Sequence, residues 1–129
     1  MFAFIKKNKY QITKFCLTGL LSSLINFLIY FTLYKINFNI NVASLAGYFV
    51  GILNSFVFSK IWVFGNLKFK RMNNDLIIFI LIYCFGGIAM TLTINFVISL
   101  IDNFQIAWFC GAIVAATNNY LGSKWLFKN

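Results

Sequence analysis

The hydrophobic pattern of the chain is dominated by four long uncharged intervals. Between successive charged residues these intervals hold 20, 24, 26 and 21 positions, and most of those positions are apolar. A helix needs roughly 20 predominantly apolar residues to cross the hydrocarbon core of a bilayer. The sequence therefore predicts four transmembrane helices, at about residues 14–34, 41–61, 76–101 and 104–124.

Composition supports the same interpretation. The chain is 61% hydrophobic and 10% charged, and its mean hydropathy is +0.84. Soluble domains carry about a quarter charged residues, and a soluble protein of this size could not bury so much apolar surface. We therefore expect an all-α integral membrane protein with one membrane domain over residues 1–129.

The basic residues predict the topology. Ten of the eleven lysines and arginines lie in the N-terminal arm, in the connection between the second and third predicted helices, or at the C-terminus. Only Lys35 lies in one of the other two connections. The positive-inside rule therefore places both termini in the cytoplasm, and we expect a multi-pass protein of the cell membrane, with a bacterial inner membrane as the typical case. This topology explains the net charge of +9, so no nucleic-acid partner is indicated.

Two similar segments indicate an internal repeat. NSFVFSKIWVF at residues 54–64 resembles NNYLGSKWLF at residues 118–127. The repeats span about residues 10–64 and 75–127, and each holds two predicted helices, so the two hairpins share one orientation. The second copy has one residue fewer between its lysine and its tryptophan. In regular helices this difference would turn the tryptophan by about 100° relative to the lysine.

Small residues recur at every fourth position along the second and fourth predicted helices. Such ridges let helix backbones approach closely in lipid. A homodimer that buried one ridge between protomers would have eight spans and a wider polar path. The ridge residues for which we expect close packing are Gly47, Gly51, Gly111 and Ala115.

Uncharged polar residues follow similar positions in the two repeats. In a bilayer they are costly without a partner, so they either hydrogen bond between helices or contact a polar substrate, and one residue can do both. These residues are Ser22, Asn26, Asn54, Ser59, Thr91, Asn95, Asn118, Asn119 and Ser123.

Each repeat ends in a Ser–Lys pair and aromatic residues. Lys60 and Lys124 either extend to the interface as anchors or converge, as pseudo-symmetric cations, on one anionic group. The aromatic residues are typical of interfacial anchors, and they are Trp62, Phe64, Trp125 and Phe127.

The chain lacks the residues that several kinds of chemistry require. The chain has no histidine, and its three cysteines fall inside predicted spans without metal-ligand spacing, so no metal site or cofactor is predicted. It has no phosphate-binding loop and no carboxylate within a span, which argues against ATP hydrolysis, a proton relay and a small multidrug-type transporter. No nucleophile–base pair is visible, so we do not expect an enzyme.

At the ends of the repeats the sequence resembles the GtrA-like family, small four-span membrane proteins linked to flipping of polyprenyl-phosphate-linked sugars. The repeats of that family end in a pattern close to N-F-x-x-N-R-x-W-x-F. The first copy here matches it with Phe56, Lys60, Trp62 and Phe64, and the opening KFCLTGLLSSLINF is also similar to the family. Lysine replaces the usual arginine in both copies, so a point charge replaces a bidentate fork.

The resemblance implies that Lys60 and Lys124 bind the lipid phosphate and that the polar helix faces form a path for the sugar. The implied partners are a polyprenyl-phosphate-linked sugar and membrane lipids. A non-transporting subunit that docks or stabilises a polyprenyl-phosphate glycosyltransferase fits the same features, although it has no need for two lysines.

Overall fold

The computed structural model describes residues 1–128, apart from the side chains at positions 40, 44 and 104. It confirms the prediction of an all-helical protein with four helices, and no strand occurs among these residues. A π-helical turn, Ser59–Val63, directly follows the second helix. The helices are α1 (Phe2–Lys35), α2 (Ile40–Phe58), α3 (Met72–Ile101) and α4 (Phe104–Leu126).

Three helical segments are long and apolar enough to cross a membrane: Phe2–Lys35, Asn41–Val63 and Met72–Ile101. The fourth helix, α4, has 23 residues and would measure about 35 Å. It is not among the three, because polar residues such as Asn118 and Asn119 lower its hydropathy. The protein is therefore a helical membrane protein with several apolar helices, and the fourth span stays a prediction from the charge pattern.

α1 begins much earlier than the predicted start at residue 14. The basic arm is helical from Phe2 onward, and its lysines lie in the first turns of the helix. Lysine is a good helix former, and no glycine or proline interrupts this part of the chain. At 34 residues the helix is about 50 Å long, which exceeds a hydrocarbon core of roughly 30 Å. The charged first turns can therefore lie outside the core.

The α1–α2 and α3–α4 connections resemble each other. Asn37 and Asp102 adopt left-handed backbone conformations, with φ angles of 69° and 49°. Asn39 then caps α2 by accepting a hydrogen bond from the backbone N–H of residue 41 at 2.8 Å. Asn103 caps α4 by accepting one from the N–H of residue 106 at 3.1 Å. Asparagine and aspartate both tolerate the left-handed region, and an asparagine cap satisfies an unpaired N–H group at a helix start.

The chain forms two compact units, Met1–Leu67 and Lys68–Asn129. The first contains α1, α2 and the π-helical turn, and we call it the first hairpin. The second contains α3 and α4, and we call it the second hairpin. Each predicted repeat falls within one of these units.

Candidate functional site

Glycine permits the close contact between α1 and α2. A Cβ atom on Gly47 would lie 2.6 Å from the backbone oxygen of Asn26, and one on Gly51 would lie 3.2 Å from the backbone oxygen of Ser22. Real Cβ atoms do not come so close to backbone atoms as the first of these distances. The two glycines of the predicted ridge therefore face α1 directly, as small residues do in closely packed membrane helices.

Next to this contact, three polar side chains form a cluster between the two helices. Asn54 donates from Nδ2 to Ser22 Oγ at 2.9 Å, and Ser55 Oγ donates to the same oxygen at 2.7 Å. Ser22 and Ser55 are buried. The structure thus brings the predicted polar residues Ser22 and Asn54 together, in surroundings where hydrogen bonds are electrostatically stronger than in water.

Asn26 lies one turn further along α1 and directly faces Gly47. Its Oδ1 lies 2.6 Å from the position of a Cβ on that glycine, as its backbone oxygen does. Its side-chain amide makes no hydrogen bond to any residue that the structure describes. The Asn26 side chain therefore packs against α2 at Gly47.

Lys60 is enclosed by a tight reversal of the chain that follows α2. The backbone N–H of Phe64 donates to the Ser59 oxygen at 3.0 Å, which closes the π-helical turn, and the N–H of Asn66 donates to the Lys60 oxygen at 2.7 Å. Gly65 permits this reversal with a φ of 62°, a conformation that favours glycine.

The side chain of Lys60 takes part in the same reversal. Its Nζ donates to Asn66 Oδ1 at 3.2 Å, and the lysine is only 1% exposed. Asn66 was not predicted as a site residue, although the Gly–Asn pair after a helix is a turn signal. Beside Lys60, Ser59 is fully buried, and its hydroxyl has no hydrogen-bond partner within residues 1–128.

Lys14 adds a second cation to the same end of the first hairpin. Its Nζ donates to the backbone oxygen of Trp62 at 3.2 Å. The ammonium also lies 4.4 Å from the ring centroid of Tyr10 and 5.3 Å from that of Trp62. From the sequence, Lys14 indicates only the topology, because no pattern in α1 shows that it reaches the π-helical turn.

In the second hairpin, Asn118 contacts the backbone of α3. Its Nδ2 donates to the Ile82 oxygen at 2.9 Å and lies 3.2 Å from Asn119 Oδ1. Thr91 and Asn95 are exposed, and the Thr91 hydroxyl donates to a backbone oxygen of its own helix at 3.0 Å. The structure therefore brings Asn118 to α3 but not to either of these two predicted residues.

Small residues also lie at the contact between α3 and α4. A Cβ on Gly111 would be 2.8 Å from Ile94 Cγ1 and 3.0 Å from Met90 Cγ. A Cβ on Gly122, which the ridge prediction did not include, would be 2.5 Å from Ile82 Cγ2. Ala115 is half-buried.

The end of α4 differs from the end of α2. Lys124 is half-buried, and its Nζ lies 5.7 Å from the ring centroid of Tyr120. Trp125 is 69% exposed, whereas Phe127 is 1% exposed and packs against Phe79 with ring centroids 6.0 Å apart. Ser123 is fully buried, and its hydroxyl has no partner in the described part of the chain.

Among the described residues, no group of three or more histidine, cysteine, aspartate or glutamate side chains could hold a metal ion. The polar side chains in the contacts described above are instead lysines, asparagines, serines and threonines. Apolar helices that pack through glycine and carry buried polar groups define a helical membrane protein.

Comparison with protein families gives the class a name. The model of the family described as GtrA/DPMS, transmembrane domain, matches residues 14–127. The chain belongs to this family, which confirms the resemblance found at the repeat ends. No curated protein shows significant similarity to the chain. Membership associates the protein with membrane processes that involve polyprenyl-phosphate sugars.

Proposed function

We propose that the protein moves a polyprenyl-phosphate-linked sugar from one leaflet of the membrane to the other. Family membership supplies the class of lipid. The observation that carries the proposal is the enclosed ammonium of Lys60, held against Asn66 at the end of α2. A cation inside a mostly apolar protein is costly, and its retention is accounted for if it binds an anionic headgroup. Lysine binds phosphate as a point charge through charge-assisted hydrogen bonds.

In this mechanism the lipid phosphate replaces Asn66 as a partner of Lys60. The exchange requires the turn at residues 64–66 to open, while the prenyl chain stays among the membrane lipids. Asn54 lies six residues before Lys60, about 9 Å along a helix, and offers the next hydrogen-bonding group. The headgroup would thus move from the charged contact at Lys60 to neutral amides and hydroxyls. Lys124, at the corresponding place in the second repeat, would also contact phosphate.

The proposal includes both termini in the cytoplasm, because ten of eleven basic residues lie in the three segments that the positive-inside rule assigns to that side. It includes no enzymatic step and no cofactor, so transport would follow the concentration gradient of the lipid. A cysteine introduced at position 37 should react with an impermeant reagent from outside, and one at position 68 only after permeabilisation. The opposite labelling would show that the orientation is wrong. A second copy of the chain and a membrane glycosyltransferase stay proposed partners.

Reconstitution tests the function directly. Proteoliposomes that contain only this protein and a labelled polyprenyl-phosphate hexose should show flipping. Lys60→Met and Lys124→Met keep the length of the side chain without its charge, and each should slow flipping about tenfold, because a charge-assisted contact is lost. Lys60→Arg should preserve flipping, and Lys35→Met, in the connection predicted to face outside, serves as the matched control.

Two results would contradict the proposal. If the double variant with methionine at positions 60 and 124 flips lipid at the parental rate, the lysines are interfacial anchors only. If the correctly folded parental protein moves no lipid, the protein is not a flippase on its own. A restored activity of a polyprenyl-phosphate glycosyltransferase in its presence would then favour the docking subunit.

A further inference from the structure

We propose that a cleft in the first hairpin binds the sugar of the lipid, an inference that rests on the proposed function. The cleft lies between α1 and α2 and has a volume of about 590 Å³. This volume is typical of small-ligand sites, which measure roughly 300–1,000 Å³. Its lining residues are Ser23, Asn26, Phe27, Tyr30, Leu45 and Tyr48.

The lining combines aromatic rings with polar tips. Phe27 is 57% exposed and Tyr48 is 50% exposed, so their rings are accessible. A hexose has an apolar C–H face that stacks on an aromatic ring and a rim of hydroxyls that hydrogen bond. Tyrosine offers both kinds of contact, since it has an apolar ring and a hydroxyl. A bare hydrocarbon chain would need the rings but not the amide or the hydroxyls.

Asn26 gives the cleft its most specific polar group. Its Oδ1 packs closely against Gly47, and its amide makes no hydrogen bond to a described residue. In a membrane an amide without a partner costs free energy. A sugar hydroxyl in the cleft can accept from or donate to this amide.

The position of the cleft separates it from the proposed phosphate contact. Tyr30 and Asn26 lie five and nine residues before Lys35, about 8 and 14 Å along α1. On α2, Tyr48 lies twelve residues before Lys60, about 18 Å along the helix. A phosphate at Lys60 cannot have its directly attached sugar in the cleft. We therefore assign the cleft to a later stage, when the headgroup has moved toward the end that carries Lys35.

Only the first repeat has the residues for this cleft. In the alignment of the repeats, Ser23, Tyr30 and Tyr48 correspond to Leu92, Ser99 and Ala112. The second repeat thus lacks both tyrosines. Sugar recognition should depend on the first hairpin alone.

Binding measurements can isolate the contribution of the sugar. Native mass spectrometry of the purified full chain would compare polyprenyl phosphates carrying glucose, galactose or mannose with polyprenyl phosphate that carries no sugar. The parental protein should prefer at least one sugar lipid. Tyr48→Leu and Tyr30→Leu should each reduce this preference about tenfold, and Tyr48→Phe about threefold, since a neutral hydrogen bond has a modest net value. Binding of the bare lipid should change little.

Phe96→Leu is the matched control, because Phe96 is an exposed aromatic residue of α3 that does not line the cleft. Tyr48→Phe keeps the ring and guards against a result caused by misfolding. If the tyrosine variants keep the full preference while the parental protein flips lipid, the cleft proposal is wrong and the proposed function stands. If the parental protein neither flips lipid nor prefers a sugar lipid, both proposals are wrong.

Discussion

The two hairpins end in nearly the same sequence but close their last turns differently. In the first, the N–H of Phe64 reaches back five residues to Ser59; in the second, the N–H of Phe127 reaches back four residues to Ser123. The residue that the first copy has in addition is therefore absorbed by the π-helical turn, and each phenylalanine N–H still meets the matching serine. Regular helices would have rotated the aromatic residues instead. π-helical turns of this kind often occur at functional sites.

The polar side chains of the two hairpins also have different kinds of hydrogen-bond partner. Ser22 accepts hydrogen bonds from two side chains of α2, whereas Asn118 donates to a backbone oxygen of α3. Side-chain partners can exchange for a ligand without disturbing a helix, but a bond to a helix backbone mainly holds two helices together. This difference favours the first hairpin for the proposed contacts with the sugar, whereas the contact of Asn118 mainly holds α3 and α4 together.

Substitution of the central glycines should give the largest difference in stability between the two hairpins. In Gly47→Ala the new methyl group would meet the backbone oxygen of Asn26 at 2.6 Å, and helix backbone cannot move aside easily. We expect a loss of about 1–3 kcal/mol in the free energy of unfolding. Gly111→Ala would meet Ile94 Cγ1 at 2.8 Å, Met90 Cγ at 3.0 Å and the backbone oxygen of Met90 at 3.1 Å. These contacts are all longer than the one at Gly47, so its loss should be smaller. Unfolding in detergent would measure both.

Gly19→Ala provides the control for these variants. No atom lies within 4 Å of a Cβ at Gly19, so this change should be neutral, or stabilising by up to about 1 kcal/mol through helix propensity. An equal loss for Gly47→Ala and Gly111→Ala would show that the two helix contacts are equally tight.

The sequence predicted the four helices, apart from the early start of α1, because long apolar runs between charged residues can be recognised without knowledge of tertiary contacts. The interhelical partners were not predictable in the same way. Asn118 contacts Ile82 rather than Thr91, since the register of a hairpin depends on how individual side chains fit. Asn66 lies in a segment with no periodic pattern, so its contact with Lys60 could not be derived. The cleft tyrosines have helical spacing to other apolar residues and look like ordinary lipid-facing positions.

Removal of single hydroxyl groups from α1 and α3 should change the stability by a smaller amount. Ser22→Ala removes the acceptor of both Asn54 and Ser55, and it should lower the free energy of unfolding by about 1 kcal/mol, as typical for hydrogen bonds between membrane helices. Thr91→Ala is the matched change in the second repeat. Its hydroxyl bonds only to its own helix, so its loss should be near zero. Equal effects in the unfolding assay would remove the distinction between the two polar arrangements.

The last prediction concerns the solvent accessibility of the two lysines at the helix ends, where we expect the smallest change in stability. Lys60 is 1% exposed and Lys124 is half-buried, so a small amine-reactive reagent should modify Lys124 faster in inside-out vesicles. Asn66 encloses Lys60 through its side-chain oxygen and is itself 5% exposed. Asn66→Ala should therefore speed modification of Lys60 and leave Lys124 unchanged, because only the first hairpin has this turn. Peptide mass spectrometry after timed labelling would give both rates. If Lys60 reacts as fast as Lys124 in the parental protein, the reversal at residues 64–66 does not enclose the ammonium, and the contrast between the two ends disappears.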